Sequence, residues 1–94
     1  MKIVITGRIR LKLERKHGVR PEEVEECFAN RLGRFLEDTR EQHRTVPPTK
    51  WFIAETDSDR KLKIVFMESE AGDIEIKTAY EPNHEEEKIY EKYG

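Results

Sequence analysis

Ninety-four residues allow one hydrophobic core, so residues 1–94 read as a single domain, and any activity must sit on its surface or in a shallow cleft. Charged residues make up 40% of the chain and apolar ones 35%, but the apolar residues fall in periodic runs, which excludes a disordered chain. A lone Cys27 excludes an internal disulfide, and no run is long and apolar enough for a signal peptide or a membrane span, so a cytoplasmic protein without a membrane partner is expected.

The net charge of −2 hides a strong asymmetry. Residues 1–20 carry seven cations, Lys2, Arg8, Arg10, Lys12, Arg15, Lys16 and Arg20, against Glu14 alone. Four acids follow between positions 22 and 26, and five more lie after Tyr80. Such a split permits an anionic partner at the front and a basic one at the back; the alternative is a set of solvated faces with charges at helix ends.

In chain order, "KIVIT" at 2–6 has the β-branched alternation of a short strand. The next run, "RIRLKLERKHG", admits two readings. Alternation of Ile9, Leu11 and Leu13 favours a strand, whereas basic residues ahead of Gly18 favour a helix end; we take the helix. A second helix is predicted from Pro21 at its first position, Glu22 and Glu23 at its positive end, an apolar stripe of Val24, Cys27, Phe28 and Leu32, and a stop at Gly33.

The stretch 36–56, "LEDTREQHRTVPPTKWFIAET", begins as an edge strand or a turn of helix. Pro47 and Pro48 then force extended geometry on Val46, making a stiff loop that carries Arg40, His43 and Arg44. A surface network in which Glu37, Asp38 and Glu41 neutralise those arginines is the plainer reading. Three strands are predicted next, "KWFIAET", "RKLKIVFMES" and "DIEIKTAY", joined by short turns into an antiparallel meander. Within them Trp51, Phe52 and Phe66 read as core. Pro82 stops the last strand. Asn83 caps a closing helix with Glu86 at capping-box spacing, and Ile89 and Tyr93 share a face with Tyr90 beside them. The predicted fold class is α+β: a small antiparallel sheet, two N-terminal helices and one C-terminal helix.

There is no Gly-rich phosphate loop, nucleophile elbow, Cys-x-x-Cys or His-Glu-x-x-His, and His17, His43 and His84 lack metal-ligand spacing, so neither a metal nor a cofactor is expected. What remains is a set of cations and histidines near element ends: Lys16 with His17, His43 with Arg44, and Arg60 opening the central strand. A metal-free ribonuclease needs such a set, with a base for the 2′-hydroxyl, an acid for the leaving oxygen and cations for the phosphorane charge. The structural alternatives are a helix-dipole role for Lys16 and His17, and pairing of Arg60 with Asp57 or Asp59.

"ERKHGVRPEEVEECF" resembles the Lys-His-Gly-Val helix pair of BrnT-type toxins of bacterial toxin-antitoxin systems, and "RKLKIVFMESEAGDIEIKTAYEPNHEEEKIYE" resembles their Arg-led strand, following strand and Tyr-Glu tail. That resemblance implies a RelE-like fold, metal-independent cleavage of an RNA substrate and inhibition by a small antitoxin protein. Lys16, His17, Arg60, Tyr90 and Glu91 match family positions. The chain departs from the family at Thr78, Ala79 and Tyr80, where those toxins usually have Ser-Ala-Arg, and in its acidic net charge. On this reading His17 or His43 carries protons, Lys16, Arg40, Arg44 and Arg60 hold phosphate, and Tyr80 supplies a hydroxyl in place of the arginine. The competing class is a non-catalytic module that binds a protein or nucleic acid. "LEDTREQHRTVPPTKWFIAET" and "IKTAYEPN" also resemble small bacterial proteins labelled ADP-ribosyl-dinitrogen reductase hydrolases, which implies glycosidic cleavage at arginine; the clustered magnesium-holding acids of the larger hydrolases of that name have no counterpart in this sequence.

Overall fold

A computed structural model of the protein describes residues 2–38 and 47–94. Thr6 resolves the ambiguous run near the N-terminus. Its backbone is extended, its hydroxyl accepts a hydrogen bond from the Ile9 N–H at 3.3 Å, and helix α1 (Gly7–Lys12) follows. Helical spacing turns Ile9 and Leu13 toward the sheet and Leu11 away: Leu13 is fully buried, Leu11 46% exposed. A π-helical segment (Leu13–His17) extends α1 and ends at Gly18, whose φ of 61° reverses the chain. Val19 then donates to the Leu13 carbonyl at 3.0 Å and enters the core.

Helix α2 (Pro21–Asn30) starts where expected, with the Arg20 N–H donating to the Glu23 carboxylate at 3.0 Å, and it buries Val24 and Cys27. Its end differs from the expectation. The Asn30 amide donates to the Glu55 carbonyl at 3.0 Å and to the Asp57 carboxylate at 2.9 Å, fastening the helix end to the sheet. Leu32 therefore lies beyond the helix and is fully exposed instead of joining the stripe. Gly33 is not the helix stop either: a Cβ there would stand 2.6 Å from the Tyr90 hydroxyl, so its role is to admit that side chain.

Strands β3 (Thr49–Glu55), β4 (Lys61–Glu68) and β5 (Ile74–Tyr80) form the expected antiparallel meander, with β2 (Leu36–Glu37) as an edge beside β3. The sheet is nevertheless mixed, a correction to the antiparallel expectation, because β1 (Ile3–Val4) pairs parallel with β5. After β1 the chain forms its two helices and re-enters at the far edge, giving the order β1-β5-β4-β3-β2, so β1 meets the last strand.

A bulge shapes β5. Val65 faces Thr78 while Phe66 faces Ile76, leaving Lys77 as the extra residue. Side-chain phase changes there: Ile76 and Ala79 both enter the core, and Tyr80 pairs with Lys63 on the other face. The core lies between the sheet and α1–α2, where Phe28, Phe35, Phe52 and Phe66 pack edge-on or tilted.

Helix α3 (His84–Tyr93) lies across the opposite face. Its capping box is as expected: the Glu86 N–H donates to the Asn83 side chain at 2.8 Å, and the Asn83 N–H to the Glu86 carboxylate at 3.0 Å. No α3 residue is fully buried. Tyr90 anchors it, with its ring 5.7 Å from Trp51 and its hydroxyl donating to the Arg34 carbonyl at 2.8 Å. The fold class is α+β, and among the described residues no helix is long and apolar enough to cross a membrane.

Candidate functional site

The π-helical segment brings His17 to the end of β5, where its ring lies 5.6 Å from that of Tyr80. Burial and the Lys12 and Lys16 charges lower the imidazole pKa below its usual value. Arg8, Arg10, Lys12, Arg15 and Lys16 are exposed and make no ion pair among the described residues. Among the described residues the helix thus presents cations without ion-pair partners and ends in the His17 imidazole. Lys12, which spacing alone did not mark as a site residue, belongs with Lys16 because both charges act on His17.

Arg60 has a different setting. Its guanidinium donates to Glu81 at 2.9 Å, to both Glu23 carboxylate oxygens at 3.2 Å, and to the carbonyls of His17 and Gly18 at 3.0 and 2.8 Å. The last two are carbonyls that the helix end leaves without partners, so Arg60 caps the π-helical segment and fixes the backbone of His17. Burial acts to lower the Arg60 pKa, but Glu81 and Glu23 outweigh it and raise it. Glu23 is buried, which acts to raise its pKa, yet the Arg20 N–H and Arg60 hold it below the usual carboxylate value. The partners of Arg60 are thus Glu23 and Glu81, not the neighbouring Asp57 or Asp59, and its charge is spent inside the molecule.

Tyr80 belongs to a second cluster that sequence reading missed. Lys63 is 8% exposed. Its ammonium lies 2.6 Å from the Glu86 carboxylate, 4.5 Å from the Trp51 ring centroid and 5.6 Å from that of Tyr80. The Tyr80 hydroxyl donates to the same Glu86 oxygen at 2.8 Å. Burial acts to raise the Glu86 pKa, but hydrogen bonds from Lys63, the Asn83 N–H and Tyr80 outweigh it and lower it. The only signal in the sequence was a lysine at alternate positions of an otherwise apolar strand.

The structure therefore joins His17 to Tyr80 through their rings, and to Arg60 through backbone contact, with Lys16 alongside. Arg40, His43 and Arg44 lie outside the described residues, as does any meeting of His17 with His43. Cys27 is no nucleophile: burial pushes its thiol up to about 12, and its Sγ donates to the Ala54 carbonyl at 3.6 Å. Among the described residues, no group of three or more His, Cys, Asp or Glu side chains is arranged to hold a metal ion. Chemically, the arrangement places an imidazole with a lowered pKa beside exposed lysines. No protein-family model matches this chain, and no curated protein matches it.

Proposed function

We propose that the chain acts on RNA as a diverged relative of the BrnT-type, RelE-like toxins, cleaving the strand without a metal ion in the cytoplasm under control of a small antitoxin protein. One observation carries this reading: the His17 ring sits at the end of the π-helical segment beside Lys12 and Lys16, whose charges help burial to lower its pKa and which make no ion pair among the described residues. Arg8, Arg10 and Arg15 extend the same charge along the helix, where they attract a phosphate backbone. His17 accepts the proton of the 2′-hydroxyl, the 2′-oxygen bonds to phosphorus, and the bond to the 5′-oxygen breaks. That oxygen leaves with a proton from an acid, for which His43 is the candidate. The products are a 2′,3′-cyclic phosphate and a 5′-hydroxyl. Lys12 and Lys16 hold the phosphate charge, and Arg60 is a positioning residue that sets the His17 backbone.

The test is cleavage of a mixed RNA pool by the purified chain with a chelator present. We expect cleavage that His17→Ala lowers by about 10²–10⁴-fold with the fold intact. Cleavage that is unchanged in His17→Ala would sink the assignment. A second reading, a module that binds RNA without cutting it, is favoured by the internal pairing of Arg60 and Lys63, which leaves fewer fixed cations for a phosphorane. RNA bound by the folded wild-type chain but left uncut would select it.

A further inference from the structure

The cationic face of α1 has a counterpart on the other side of the sheet. A groove of about 680 Å³ runs between the chain after α2, the end of β3 and α3. Ile53, Ala54 and Tyr90 give it apolar walls, and Leu32, fully exposed, stands at its lip. Five carboxylates line it, Glu55, Asp57, Asp59, Glu87 and Glu91, against the single cation Lys61, which Glu87 already neutralises at 2.9 Å. Glu55, Asp59 and Glu91 make no ion pair among the described residues.

Helix α1 has the complementary pattern. Arg8, Leu11 and Lys12 share a face at helical spacing, with Arg15 one turn further on. Leu11 is a large apolar side chain left 46% exposed among these cations, while Ile9 and Leu13 face the core. An apolar anchor ringed by cations matches an apolar groove ringed by acids in polarity and charge.

We propose that this groove docks α1 of a second copy of the chain, with Leu11 packing beside Leu32 and with Arg8, Lys12 and Arg15 facing Glu55, Asp59 and Glu91. The helix and the groove lie on opposite faces of the sheet, so the contact is head-to-tail and each added copy leaves both surfaces free for another. Helix and π-helical segment together are only about 16 Å long, so the interface is at the small end of specific contacts and the assembly is concentration-dependent and weakened by salt. The same α1 cations serve the RNA reading, which makes assembly and RNA binding competitive, but the docking itself needs no RNA.

Sedimentation velocity of RNA-free protein at low salt tests this. The wild-type chain is expected to gain mass with concentration and to lose it on adding salt. Leu11→Ser/Lys12→Glu removes the helix surface and Leu32→Lys/Glu55→Lys the groove surface, all at exposed positions, so each variant alone stays monomeric over at least a roughly tenfold wider concentration range. Mixed together, the two variants form one-to-one dimers and nothing larger, because one intact surface of each kind remains. A wild-type chain that stays monomeric throughout, or variants that assemble as it does, would overturn the proposal whatever the RNA assays give.

Discussion

The cations of α1 and its π-helical extension and those in and just before β4 are the same kinds of side chain in opposite circumstances. Arg8, Lys12 and Lys16 face solvent with no ion-pair partner among the described residues, whereas Arg60, Lys61 and Lys63 each meet carboxylates delivered by distant segments, Glu23, Glu81, Glu86 and Glu87. Charge on the first set meets no acid among the described residues; charge on the second holds helices to the sheet. A basic residue thus becomes a candidate ligand through the absence of an acid from elsewhere in the chain, which no local motif records.

The sharpest way to break this contrast is at Arg60. Arg60→Met leaves the buried Glu23 and the carbonyls of His17 and Gly18 without their donor, and we expect a loss of about 2–4 kcal/mol in urea unfolding. Adding Glu23→Gln should recover part of that loss, because the uncompensated charge is gone. No recovery would mean that the carbonyl contacts dominate.

Acid comes next in size. Glu23 and Glu86 have lowered pKa values, so the stability they contribute is present above the ordinary carboxyl value of 4.5 and is lost as pH falls through their lowered values. His17, also lowered, acts in the same direction at higher pH: its contribution is present above 6.5 and is lost as pH falls through its lowered value. Thermal unfolding from neutral to acid pH should show Tm falling, and Glu86→Gln, which keeps a residue able to complete the capping box, should flatten the more acidic limb.

The smallest effect on stability is expected on the other side of the contrast. Arg8→Gln/Lys12→Gln should change unfolding free energy by less than about 0.5 kcal/mol. On the proposed RNA reading its effect is on binding, where the slope of log K against log salt should fall by about 0.7 for each cation removed that contacts the strand. A large stability change with an unchanged salt slope would make these residues structural after all.

Local chemistry made much of the fold legible. Pro21, the Asn83–Glu86 capping box and the two short turns of the meander each act over a few residues, and all are where the sequence placed them. The errors concern long-range partners. Leu32 continues the α2 stripe by spacing, but Asn30 is captured by Glu55 at the end of β3 and Asp57 in the turn after it, far along the chain. The parallel pairing of Ile3 with Ile74 and the wrapping of Arg60 by Glu23 and Glu81 depend on the whole chain being in place. Within the candidate site, His17 was marked by its neighbours and by family resemblance, whereas Lys63 was not. Its burial requires α3 to lie across β4, and its meeting with Tyr80 requires the bulge at Lys77, which strict alternation does not foresee.

Cys27 offers a clock for this molecule. It is the sole thiol in the chain, fully buried against β3 and held protonated by its surroundings. A thiol-specific reagent in excess can reach it only after α2 lifts from the sheet, so the labelling rate counts openings of that seam, one signal per molecule with no competing thiol. Followed under native conditions, that rate would separate variants that loosen the helix–sheet seam from those that alter only the outer charges.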